Sequence, residues 1–115
     1  MSIPHAQSGE PTSVAPFGPA LSQQRTTALF KSAQLEVMRL VLPAAKSMPA
    51  HKVAGEITIQ CIEGRLNVEI NGASTLLKAG QLVFLLGSVP HSVTALEDAS
   101  ALVTIVLCKA ARGTA

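Results

Sequence analysis

The chain has 115 residues, of which 48% are hydrophobic and 14% charged, with a net charge of +2. That length suits one domain with a sizeable core and excludes a chain solvated over most of its length. The nine basic residues are scattered and there is no Trp or Tyr, which excludes a nucleic-acid surface built on clustered charge or stacked aromatics.

Residues 1–24 carry prolines at 4, 11, 16 and 19 among Ser, Gly and Gln, with no period of 2 or 3.6. They predict a flexible or extended N-terminal arm whose only large anchor is Phe17. From Thr26 onward, short aliphatic and β-branched runs alternate with turn signals. Residues 26–31 and 35–42 are the first two expected strands. Pro43 breaks the second, and Pro49 keeps the approach to His51 extended. Residues 56–62 alternate, with Glu56, Thr58 and Gln60 on one face and Ile57, Ile59 and Cys61 on the other. Glu63 and Gly64 read as a turn into a strand over 65–70. Asn71-Gly72 is the strongest hairpin signal, since a type I′ turn needs positive φ at both central residues. Further strands are expected over 73–77, 81–86, 91–96 and 99–107. The barrel is thus placed at residues 25–110, with 111–115 as a frayed C-terminus.

Evenly spaced short strands with turns between them indicate an all-β antiparallel barrel or jelly roll. No basic n-region followed by an apolar stretch is visible, and no apolar run approaches a membrane span, so a cytoplasmic protein with no membrane contact is expected. Cys61 and Cys108 lie in apolar strand-like runs and are expected as buried free thiols. Low charge with many aliphatics predicts a homodimer, formed through sheet edges or an exchanged N-terminal arm.

Two frames carry the chemistry. The first holds His51, Val53, Glu56, Ile57 and Gly64. The second holds Gly80, Leu86, Ser88, Pro90 and His91. In spacing they resemble the two motifs of the cupin family, small double-stranded β-helix barrels that often hold a metal on three histidines and one glutamate. The resemblance spans residues 39–107. Counted against the motifs, His51 takes the first histidine position, Val53 the second and Ile57 the glutamate. Ala45 stands near the opening glycine, Leu86 at the proline of the second motif, Ser88 at its second glycine, and His91 closes it in register.

The resemblance implies a site at the barrel mouth with half its ligands replaced by aliphatic residues. A pocket is expected among Met48, His51, Val53, Ile57, Ile59, Phe84 and His91. A divalent iron, manganese, nickel or zinc ion would rest on His51 and His91 alone, with Glu56 added only if a β-bulge turned it inward. The alternation favours Glu56, Thr58 and Gln60 on the outer face. Arg39, flanked on its face by Val37 and Val41, reads as an edge charge with a buried stem or as a pocket anion anchor. A general base would need a partner carboxylate, and Asp98, the only Asp, lies past the His91 strand. Three functions follow: a barrel binding a small molecule without the full metal site, a metal-dependent dioxygenase or isomerase with a reduced two-histidine site, or a structural or regulatory dimer with no open site.

Overall fold

The computed structural model describes residues 5–107, with His51 described by its backbone alone. Nine strands form among these residues: β1 (Thr27–Lys31), β2 (Leu35–Leu42), β3 (Ser47–His51), β4 (Ile57–Glu63), β5 (Arg65–Ile70), β6 (Ala73–Lys78), β7 (Leu82–Leu85), β8 (His91–Ala95) and β9 (Ala99–Val106). They build two antiparallel sheets, one ordered β1-β2-β9-β4-β7 and the other β3-β8-β5-β6. The protein is all-β, as the alternation predicts.

Period-two patterning decides what lies between the sheets. Leu40 and Leu42 of β2, Ala99, Ala101 and Val103 of β9, and Ile57, Ile59 and Cys61 of β4 face inward from the first sheet. Leu66 and Val68 of β5, with Val93 and Ala95 of β8, close on them from the second. The hairpin between β5 and β6 turns at Asn71 and Gly72, both at positive φ (51° and 84°), as a type I′ turn requires. The corner between β4 and β5 turns at Gly64 (φ 79°), where a Cβ would overlap the backbone of Asp98 and Ala99. Only glycine suits that corner.

Two elements differ from expectation. Residues 47–51 form a strand rather than a mere extended approach. Ser47-Met-Pro-Ala-His lacks alternation, and β3 is an edge strand paired only with β8, so Pro49 is tolerated there. A short 3-10 helix, Gly18–Gln23, also interrupts the arm and buries Leu21. The stretch before it is tied to the barrel. The Phe17 and Gly18 amides donate to the Glu63 carboxylate, at 3.0 and 3.1 Å. Cys108 and residues 111–115 lie outside the described residues, and so does the end of the barrel expected at 110. No helix among the described residues is long and apolar enough to cross a membrane.

Candidate functional site at the barrel mouth and a charged hub outside it

The Gly64 corner fixes where the motif residues meet. β4 runs into that corner and β5 runs back from it. The start of β4, at Ile57, and the end of β5, at Ile70, therefore share the opposite end of the barrel. His91 is the register partner of Ile70 on one side and of His51 on the other. The two histidine positions thus lie directly across one strand pair, the tightest juxtaposition an antiparallel ladder offers. His91 is 4% exposed and belongs to the inward row of Val93 and Ala95. Its Nδ1 lies 3.0 Å from the Val89 carbonyl, which only accepts, so Nδ1 carries the proton in that bond.

The rest of the mouth is apolar. Ile57 is buried, and Met48, Val53 and Ile70 are partly buried against the core. The loops that carry the two motifs touch. The Ser88 amide donates to the Val53 carbonyl at 2.7 Å, and a Cβ on Gly87 would overlap the Ala54 carbonyl. Ser88 holds φ at 64° and Ala45 at 71°. Both occupy positions where the motif has glycine, and both keep the left-handed backbone that glycine adopts at least cost.

Three expectations need correction. Phe84 is 53% exposed and pairs with Thr58 on the outward face, because its parity on β7 is opposite to that of inward Val83 and Leu85. Ile59 is not at the mouth but one inward position deeper, enclosed by Val83 and Val103 as register partners. Glu56 is exposed just before β4 begins, so no bulge turns it inward.

A bulge does occur on β4, but at its other end. The pairing with β9 slips between Cys61 and Glu63, so that Cys61 faces Ala101 while Glu63 faces Ser100. Without that extra residue Glu63 would share the inward parity of Cys61. With it, the carboxylate emerges on the outer face beside Arg39. The Ser100 hydroxyl donates to Glu63 Oε2 at 2.5 Å, and Arg39 Nη2 donates to the same oxygen at 3.4 Å. Arg39 also donates to Ser100 from Nε at 3.3 Å and from Nη2 at 3.1 Å, and from Nη2 to the Ala15 carbonyl at 2.8 Å. The Phe17 ring stacks on the guanidinium, 4.1 Å from its carbon to the ring centroid.

Arg39 is therefore neither an edge charge nor an anchor inside the barrel pocket. β2 is an interior strand, and the residue is 2% exposed beneath the arm. Burial opposes ionisation of Glu63. The Ser100 hydroxyl, the two arm amides and Arg39 outweigh it and hold the carboxyl below its ordinary value. Sequence reasoning missed this hub. Arg39 and Glu63 are 24 residues apart, and the bulge that joins them leaves no mark in the local pattern. Cys61 is fully buried, and that burial pushes its thiol pKa up, away from nucleophilic thiolate.

A family model described as the cupin domain matches residues 38–108. No curated protein matches. Among solved structures, a conserved protein of unknown function from Streptococcus pyogenes is similar over 96% of this chain and 97% of its own, at 17% identity and a TM-score of 0.74. An RmlC-like cupin from Desulfovibrio desulfuricans is similar over 84% and 96%, at 24% identity and a TM-score of 0.72. A salicylate 1,2-dioxygenase from Pseudaminobacter salicylatoxidans is similar over 63% of this chain and 21% of its own, at 24% identity and a TM-score of 0.60. At these identities the likeness is one of fold.

A full set of three imidazoles and a carboxylate does not fit these residues. Val53 and Ile57 hold two of the four positions and offer no lone pair, and Glu56 stands outside. Among the described residues no three His, Cys, Asp or Glu side chains converge.

Proposed function

Because this chain belongs to the cupin family, we propose that it uses the family's barrel mouth to bind a small, largely apolar molecule, with imidazole as the polar contact. The observation that carries this reading is the replacement pattern at the mouth. A buried, oriented His91 stands opposite the His51 position, and the two remaining ligand positions, Val53 and Ile57, are aliphatic. Such a site binds by shape and apolar burial, with one or two polar groups fixing orientation. It lacks the carboxylate that would complete an octahedral metal site or back a general base.

Titration of the full chain with phenol, a neutral probe, followed by methyl NMR, tests the reading. The Ile57 and Val53 methyls should shift, and His91→Ala should remove the response while the backbone spectrum persists. No response at those methyls up to the solubility limit sinks the proposal. Elemental analysis of protein purified without added metal separates the runner-up. Stoichiometric iron, manganese, nickel or zinc that disappears in the His51→Ala, His91→Ala double variant would replace it with a two-histidine metal site.

Dimerisation belongs to the same proposal. Leu82 and Phe84 on β7, and Leu86 just after it, form an exposed outward row on the edge strand of the first sheet. Pairing of two such edges would cover both the row and the open ladder. Light scattering of Phe84→Glu should then give a monomer mass where the parent gives a dimer.

A further inference from the structure

We propose that the cleft between the N-terminal arm and the β1–β2 pair is a second ligand site, which takes a small monocarboxylate with an apolar body. It stands apart from the mouth, on the outer face of the first sheet, and the proposal does not depend on what the mouth binds. The cleft measures about 550 Å³, within the range of small-molecule pockets. Arg39 and Arg25 line it, and among the described residues no acidic side chain does.

The donor geometry of Arg39 specifies the ligand charge. Nε is committed to Ser100, and Nη2 to Ala15, Ser100 and Glu63. Nη1 has no partner among the described residues, yet no buried side-chain nitrogen or oxygen is left unsatisfied there. Arg39 is among the residues that line the cleft, so Nη1 is the donor it has left to offer a ligand there. The Phe17 ring covers one face of the guanidinium and fixes its plane, so the in-plane N–H groups are held ready. Glu63 balances one of the two arginine charges from outside the cleft lining. The surplus is a single positive charge, which matches one carboxylate rather than a doubly charged phosphate. Phe17 and Leu29 supply an apolar wall for the remainder of the ligand.

Calorimetric titration of the full chain with hexanoate, and with hexanamide as its neutral isostere, tests the site. Hexanoate should bind at least about tenfold more tightly than hexanamide, because the charge-assisted contact is lost in the amide. Arg25→Gln should weaken hexanoate by a similar factor and leave hexanamide unchanged. Arg25 is exposed and outside the Arg39 hub, so this variant should fold normally. Thr27→Trp, at the register partner of Arg39 on the outer face, should fill the cleft and remove hexanoate binding with the backbone spectrum intact. His91→Ala should leave hexanoate binding unchanged, which keeps this result separate from that at the mouth. Equal affinity for acid and amide, retained binding in Thr27→Trp, or loss in His91→Ala instead of Arg25→Gln would each overturn the proposal.

Discussion

The two faces of β2, β9 and β4 solve opposite problems with the same three strands. Their inner face is apolar along its length, from Leu40 through Ala101 to Ile59. Their outer face buries an ion pair under the arm, with Arg39, Ser100 and Glu63 drawn together across all three strands. The inner face tolerates no charge, because nothing there could satisfy one. The outer face accepts Arg39 because Glu63, Ser100 and the Ala15 carbonyl, with Phe17 stacked above, occupy its surroundings. In this barrel the strong charge–charge chemistry lies behind the sheet. The outer face is accordingly where a single substitution should do the most damage.

The contrast breaks first at Glu63. Glu63→Ala leaves Arg39 buried and unpaired, and also strips the Phe17 and Gly18 amides and the Ser100 hydroxyl of their acceptor. Urea unfolding should show a loss of about 3–5 kcal/mol, the cost of breaking a buried pair from one side. The double variant Arg39→Met, Glu63→Leu should recover much of that loss, since an apolar replacement removes the orphaned charge as well. Recovery would show that the outer face needs satisfaction and not charge as such.

A smaller effect follows from pH. The folded Glu63 carboxyl sits below its ordinary value of 4.5, so folding favours its ionised form. That contribution is fully present above the ordinary value and is lost as pH falls through the lower, folded one. Stability profiles of the parent should therefore drop more steeply on acidification than those of Glu63→Gln, which carries no proton to titrate. Parallel profiles would mean that Glu63 is not the group responsible.

The least effect belongs to the mouth loops. Ala45→Gly and Ser88→Gly should each stabilise the chain by about 0.5–1 kcal/mol, because each relieves a left-handed backbone while giving up a little unfolded-state restriction. Thermal unfolding would measure it. A loss in either variant would mean that the side chain makes contacts worth more than the strain.

Much of the barrel was legible because one face of most strands is inside. Burial with period two writes itself into 57–61, 66–70 and 91–95, and Asn71-Gly72 can hardly turn any other way. Strand β3 was hidden because its edge position relaxes the pattern that would have revealed it. The mouth was partly legible. The motif spacing points to one end of the barrel for His51 and His91 but not to their pairing in register, and Phe84 and Ile59 were misplaced, one by parity and one by depth. The hub was illegible. It depends on a one-residue slip at the end of β4, and on an arm held to Glu63 and Arg39 largely through backbone groups, which carry no sequence signal.

The sealed position of Cys61 has a kinetic consequence. Its thiol is 0% exposed, and Sγ lies 3.5 Å from the carbonyls of both Glu63 and Gly64 at the corner where the two sheets join. An alkylating reagent can reach it only when that corner comes apart. In a Cys108→Ser background the rate of labelling becomes a clock for opening of the whole barrel rather than for breathing at its mouth. A phenol-like molecule seated beside His91 should slow that clock in proportion to its occupancy, without touching the sulfur at all.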